Sequence, residues 1–341
     1  MLSGSISLNN FGRNILITGG NSGIGFYSVL NFLENKNYLF IPIRSISRRE
    51  IFIKKLKEHF PNNYLEEYLS IIDEVDFSNL ENINKIRDYL FNKNIKLDTV
   101  ILNAGLQYTG SLYPKVSKQG IELTFAVNHL AHFYLTNLLL PLIKDSLESR
   151  IIITSSEVHN PKSSGGNIGK KAGLNNLVGF KEEVMGKYLN FNADRAYKNS
   201  KLCNILFARE LSQKIENLDR KISVITWAPG LVIPDDDLGF FRYSNKFNKY
   251  GYILFSNIAK NILGISESLI NAGKILYLIA FNRDLNNTKL IYLSNEIISY
   301  KKHKLKNRNV SKEADDSELA NKLWKLSEEI CSLVGITLFD M

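Results

Sequence analysis

Apolar and polar positions alternate along this chain in two periods. Asn14–Thr18 is a short apolar run that ends in glycines, and a helical pattern follows from Ile24 to Leu33. Tyr38–Ile43 reads as a second strand. Ser47–Phe60 reads as a helix, with Ser47 as cap and Ile51, Leu56 and Phe60 as its apolar stripe. Leu69–Val75 predicts a third strand. The spacing of Leu80, Ile83, Ile86 and Leu90 predicts an amphipathic helix over 80–91. Strands are expected at Leu97–Leu102, Arg150–Thr154 and Lys221–Trp227, with helices over 121–142 and 196–215 between them. Strand–helix alternation of this kind implies a parallel sheet covered on both faces. The fold class is therefore α/β, a doubly wound Rossmann-type sheet.

After Gly230 the pattern loosens. An aromatic stretch runs from Phe240 to Tyr250, and Lys289–Leu293 suits a seventh strand. Leu319, Leu323, Leu326 and Ile330 share one face of a C-terminal helix, with Trp324 and Cys331 beside it. No repeat or linker interrupts the chain. One domain is expected over 12–335, with a lid at about 231–285 and the C-terminal helix at about 316–334.

Composition narrows the class. The chain has 341 residues, 44% of them hydrophobic and 23% charged, which excludes a disordered chain. Its apolar runs are shorter than the roughly 18–20 residues that cross a bilayer. Residues 1–10 carry no basic start followed by an apolar stretch, so no secretory signal is expected. Two cysteines, Cys203 and Cys331, make no disulfide framework and suit a reducing, cytoplasmic setting. The net charge of +9 is spread along the chain; only Lys301–Arg308 is dense, and it reads as a solvated loop. Nucleic acid is not the expected partner. An anionic ligand or an acidic membrane surface is.

The chemistry concentrates at strand ends. Thr18–Gly25 (TGGNSGIG) follows the first strand and opens a helix. Gly19 allows the tight turn, Gly23 admits a pyrophosphate, and Gly25 lets helix and strand pack closely. Thr18, Asn21, Ser22 and Ile24 complete that loop. Arg44 follows the second strand where an NAD site carries an acid, and its cation suits a 2′-phosphate. Tyr197 and Lys201 are four apart and so share a helix face, where the ammonium is expected to favour the phenolate and lower the tyrosine pKa. His129 and His132 have helical spacing, but no cysteine or carboxylate cluster joins them, and no metal is expected.

These segments, in this order, resemble the short-chain dehydrogenase/reductase family. The resemblance implies NADPH as cofactor. It matches Asp76 to the residue that meets the adenine, and Asn103-Ala104-Gly105 to the family's NAG turn. Pro229 and Gly230 fall in its cofactor set, which Lys201 joins through the nicotinamide ribose. It makes Asn128, Ser156, Tyr197 and Lys201 a catalytic tetrad, with Ser155 the alternative to Ser156.

Ala196–Asn204 (AYKNSKLCN), Asn128–Phe133 (NHLAHF), the long segment between Ser156 and Tyr197, and Ser311–Glu328 are similar to light-dependent protochlorophyllide reductases. That resemblance implies light-driven hydride transfer to the pigment's D ring, with Tyr197 as proton donor. Ser156, Tyr197 and Cys203 would face the substrate, and the aromatic stretch would form the lid. It also implies a small-molecule partner, a tetrapyrrole or another lipophilic molecule, and peripheral attachment to a photosynthetic membrane. A homo-oligomer is allowed. TGGNSGIG and Thr154–His159 (TSSEVH) are closer to retinol-dehydrogenase-like relatives, so a dark carbonyl reductase stands as an alternative. A non-catalytic NADPH-sensing or pigment-carrying protein is the third.

Overall fold

A computed structural model describes residues 12–186, 191–233 and 249–339. Strands β1 (Asn14–Ile17), β2 (Tyr38–Pro42), β3 (Leu69–Ile72), β4 (Thr99–Leu102), β5 (Ser149–Thr154) and β6 (Ile222–Ala228) form a parallel sheet. A two-residue strand, β7 (Leu231–Val232), pairs with β8 (Ser266–Glu267) apart from it. Strand β9 (Leu290–Ser299) joins β6 in parallel, and β10 (Lys302–Asn307) closes the edge antiparallel. The order β10-β9-β6-β5-β4-β1-β2-β3 reverses direction between β1 and β4. That is the switch point at which open α/β sheets bind ligands, beyond the carboxyl ends of the strands.

Both sheet faces are apolar, so β4, β5 and β6 are buried at every position. Helices α1 (Gly23–Glu34), α2 (Ile46–Lys57) and α3 (Asn62–Tyr68) lie in the first half, with α4 (Leu80–Asn92) on the opposite face. The long helix expected over 121–142 is interrupted. A short turn, α5 (Leu123–Phe125), enters a π-helical turn at Ala126–Leu130 before α6 (Ala131–Leu139). After α7 (Phe180–Met185) comes α8 (Ala193–Asn217), and the chain adds α9 (Lys249–Asn257), α10 (Leu269–Phe281) and α11 (Ser317–Leu333).

Several details differ from the sequence reading. Ile51 is exposed and Phe52 takes its place beside Leu56, because residues four apart share a helix face and residues five apart do not. The basic run at Lys301–Arg308 holds edge strand β10, not a loop. Glu296 on β9 pairs with Arg308 at 2.6 Å and Lys306 at 3.5 Å, which offsets like-charge repulsion at the edge. Helix α10 falls in the expected lid but packs on α1 instead. A Cβ at Gly273 would come within 2.5 Å of the Tyr27 Cβ, so only glycine permits this crossing. Most of the aromatic stretch, residues 240–248, lies outside the described residues. Helix α11 docks on α8 through Trp324, which stacks on Phe207 at 5.9 Å and meets the edge of Phe133 at 4.9 Å.

Candidate active site

The loop between β1 and α1 is built by contacts that leave its rim open. The Thr18 hydroxyl accepts the backbone N–H of Asn103 at 2.8 Å and of Ala104 at 2.9 Å, which ties the β1 and β4 loops together. Gly19 has a φ of +68°, and a Cβ there would stand 3.0 Å from the Ala104 Cα. A Cβ at Gly25 would lie 2.2 Å from the Gly19 carbonyl oxygen, so this helix start tolerates no side chain. Gly23, by contrast, has φ +56° and faces open space. Ser22 makes no side-chain cap to α1, and no acid sits in the first turn. The N–H groups there are left to an anion.

A cleft of about 1110 Å³ opens from this loop. Gly19, Asn21, Ser22, Gly23 and Ile24 form one end, with Arg44, Asp76, Asn103, Ala104, Gly105, Pro229 and Gly230 along it. Thr18 and Gly25, expected among the cofactor residues, stand behind the wall and brace it. The Asp76 carboxylate accepts from the Ser78 N–H and hydroxyl, which fixes its loop. Arg48, in the first turn of α2, lines the same wall as Arg44 and was not anticipated. Its spacing of four from Arg44 was the signal available in the sequence.

Tyr197, Lys201 and Ser156 meet farther along the cleft. Burial pushes the Tyr197 hydroxyl well above the usual phenol range, and the Asp194 charge adds to this; a hydrogen bond with Ser156 pulls the other way. The expected lowering by Lys201 is not what dominates. The ammonium lies 5.8 Å from the ring centroid and donates to the Thr154 carbonyl at 3.1 Å. Burial lowers Lys201 itself to about 8. The two adjacent serines diverge. Ser155 donates to the Lys201 carbonyl at 2.9 Å, while Ser156 bonds Tyr197.

Asn128 sits in the π-helical turn, behind the cleft wall. Its amide exchanges hydrogen bonds with the backbone of Leu106 at 2.8 and 2.9 Å and donates to the Ser200 hydroxyl at 3.0 Å. A Cβ at Gly105 would meet its carbonyl oxygen at 3.3 Å and the Lys201 Nζ at 3.7 Å. Gly105 thus leaves Asn128 and Lys201 on either side of one small gap.

Cys203 does not line the cleft. On α8 it stands six residues after Tyr197, about 120° round the helix, and it is buried in the core. Burial raises its thiol pKa. His129 and His132 are also buried, and burial lowers both to about 3, so they are neutral core groups. His132 bridges the Thr18 hydroxyl at 3.0 Å and the Asn128 carbonyl at 3.2 Å. No cluster of three metal-binding side chains occurs among the described residues.

A further residue that the sequence did not single out is His159. Its Nε2 accepts the Ser311 N–H at 3.2 Å, so its Nδ1 carries the proton and donates to the Ser156 carbonyl at 2.8 Å. The serine is thereby held from behind.

The residues present fit a dinucleotide. Open backbone at Gly23, an uncapped helix start and two arginines at the far wall suit pyrophosphate and a 2′-phosphate. The fold and this site define a class, and the comparisons agree. Residues 13–173 match the short chain dehydrogenase family. That match covers just under half of the chain, and over it the chain is similar to short-chain dehydrogenases.

Among its relatives is protochlorophyllide reductase of Pisum sativum, 26% identical over 94% of this chain and 78% of that one. Retinol dehydrogenase 14 of Mus musculus is 31% identical over 65% of this chain, which spans only 61% of the mouse protein's length. In fold the chain is similar to L-sorbose reductase of Gluconobacter frateurii, solved with NADPH and L-sorbose. That match has a TM-score of 0.60 and 15% identity, and covers 86% of this chain and 97% of that one.

Proposed function

We propose that this protein is an NADPH-dependent reductase of protochlorophyllide, with light absorbed by the bound pigment starting the reaction. The observation that carries this reading is the likeness to the pea enzyme over 94% of the chain. The retinol dehydrogenase likeness stops at 65%. The cleft supports it too. Beyond Tyr197 it is lined by Val158, Ile168, Leu231, Val232, Phe255, Ile265, Leu269 and Ile297, a largely apolar chamber suited to a broad macrocycle.

The residues divide the work. Asn21 to Ile24, Asn103 to Gly105, Pro229 and Gly230 hold the dinucleotide, and Arg44 with Arg48 selects the 2′-phosphate. NADPH held there would supply the hydride for reduction of the pigment's D ring. The Tyr197 hydroxyl gives the proton to C18. Ser156 aligns that hydroxyl, and Lys201 restores its proton balance through the gap beside Gly105 and Asn128. A phenol pushed upward by burial keeps its proton at neutral pH, as an acid must before it donates.

Ile253, Leu254, Phe255, Ile262 and Leu263 are exposed near Lys249 and Lys260, and this supports peripheral contact with an anionic bilayer. No described helix is long and apolar enough to cross a membrane.

The test mixes protein, NADPH and protochlorophyllide, and records absorbance in darkness and after a flash. A shifted pigment band that converts to a chlorophyllide band only on illumination is expected. Absence of pigment binding, together with dark NADPH oxidation by a lipophilic aldehyde or ketone, overturns this reading in favour of a carbonyl reductase. Pigment binding without conversion makes the protein a carrier.

A further inference from the structure

The loop from Asn160 to Gly173 forms one wall of the cleft beside Ser156, through Lys162, Ser163, Ser164, Gly165 and Ile168. It has no regular secondary structure and few backbone hydrogen bonds of its own, and side chains tie it to the rest of the fold. Its two flanks are tied to the same short segment of the chain, just before α11. His159, at one flank, accepts the Ser311 N–H at 3.2 Å. Leu174, at the other, donates its N–H to Glu313 Oε1 at 2.7 Å. Arg209 on α8 holds that segment in turn, donating to the Ala314 carbonyl at 3.2 Å and pairing with Asp315.

The middle of the loop is tied to α8. The Lys198 side chain is 3% exposed and forms an ion pair with Asp194 at 3.0 Å. Its Nζ donates to the Lys170 carbonyl at 2.9 Å and to the Ile168 carbonyl. The Asn199 side chain accepts the Gly173 N–H at 2.9 Å. A buried ammonium that spends its donors on loop carbonyls fixes those carbonyls in place, because leaving the charge unpaired there is costly. Lys198 adjoins Tyr197, so the loop is registered to the proton donor itself.

We propose that Glu313 and Lys198 are positioning residues for substrate: they clamp the 160–173 loop against α8, so that this wall of the cleft faces Ser156 and Tyr197 in one fixed geometry. The inference rests on the proposed reading that Ser156 and Tyr197 face the substrate. It explains what the segment before α11 does for a site it does not touch. Binding of substrate, rather than the chemical step or cofactor binding, is the property the clamp controls.

The experiment compares wild type with Glu313→Ala, Glu313→Gln, Lys198→Met and Lys198→Arg. Two arms are read. In the first, trypsin cleavage after Lys170 and Lys171 is timed on the folded protein and located by mass spectrometry, with no substrate present. Cleavage should accelerate about tenfold or more in Glu313→Ala and Lys198→Met, and much less in Glu313→Gln and Lys198→Arg, whose side chains still accept and donate. In the second, KM for protochlorophyllide or the accepted carbonyl should rise about tenfold in the same two variants, while kcat and the NADPH Kd change less than threefold.

Glu313 is partly exposed, so its alanine variant keeps the test alive if Lys198→Met does not fold. Wild-type cleavage rates in a folded Glu313→Ala protein overturn the clamp, and so does a loss of NADPH affinity that parallels KM. Wild-type protein that turns over neither substrate overturns the functional reading alone, because the cleavage arm is still decided.

Discussion

Ser155 donates its hydroxyl to the backbone carbonyl of Lys201 at 2.9 Å, so the serine that closes β5 is spent on fixing α8. Its neighbour Ser156 turns to Tyr197. Two adjacent hydroxyls therefore separate by role: one aligns the helix that carries the site, and the other aligns the phenol.

This separation gives a paired expectation. Ser156→Ala should lower kcat by about 10²-fold, within the range seen on removing one aligned hydrogen-bonding group in an active site. Ser155→Ala should instead lower stability by about 0.5–1.5 kcal/mol, through the loss of one buried hydrogen bond to a carbonyl that keeps its helical partner, with a smaller effect on kcat. Thermal melts and steady-state kinetics on both variants decide it. Equal kinetic losses with unchanged melting would assign both serines to the reaction.

Tyr197→Phe removes the proton donor and keeps the ring. Turnover should fall by about 10²–10⁴-fold with NADPH affinity nearly unchanged, whereas Lys201→Ala should damage both. Near-normal turnover in Tyr197→Phe would mean that another group delivers the proton.

At the far wall, Arg44 and Arg48 should both favour NADPH over NADH. A charge-assisted contact is worth roughly 1.5–3 kcal/mol, so Arg44→Ala should cost about 10- to 100-fold in NADPH affinity, and the double variant more. NADH affinity should hardly move. Fluorescence titration that finds equal wild-type affinities for the two cofactors would remove the 2′-phosphate from the argument.

The sheet was legible from local spacing, and so was the shared helix face of Tyr197 and Lys201; Asn128 and Ser156 came only from the family resemblance. Strand β5 reads as a run of isoleucines, and Tyr197 and Lys201 share a face of any helix. What was not legible depends on contacts distant in sequence. His159 and Glu313 matter because residues 152 and 139 apart meet, and nothing in their neighbourhoods announces it. Strand β10 looked like a solvated basic run because the carboxylate of Glu296, on the adjacent strand, is what makes it tolerable. The π-helical turn around Asn128 leaves no mark in the apolar pattern.

Acid should weaken the fold through its buried histidines. Burial lowers His159 to about 4, below the ordinary value of 6.5. The unfolded chain thus binds a proton that the folded chain refuses, and stability falls as pH drops from 6.5 toward 4. Each such proton is worth up to about 1.4 kcal/mol per pH unit. His159→Gln should flatten the pH dependence of unfolding by about one proton across that window. Denaturant titrations at pH 7, 6 and 5 read it, and an unchanged slope would show that His159 is protonated in the folded protein.

Cys203 offers the clearest conflict between resemblance and structure. By motif it faces substrate; by helix geometry it lies about 120° from Tyr197, in the core with its thiol pKa raised. A thiol so placed is poorly ionised and closed to reagents. Native protein should therefore resist maleimide at Cys203, while denatured protein labels fully. Cys203→Ala should cost about 1–2 kcal/mol of stability, as a small deletion in a packed core does. Substrate KM should stay within about twofold, since the side chain reaches no cleft surface. Rapid native labelling together with a raised KM would put the thiol in the substrate chamber, and α8 would then have to turn on its axis when substrate binds.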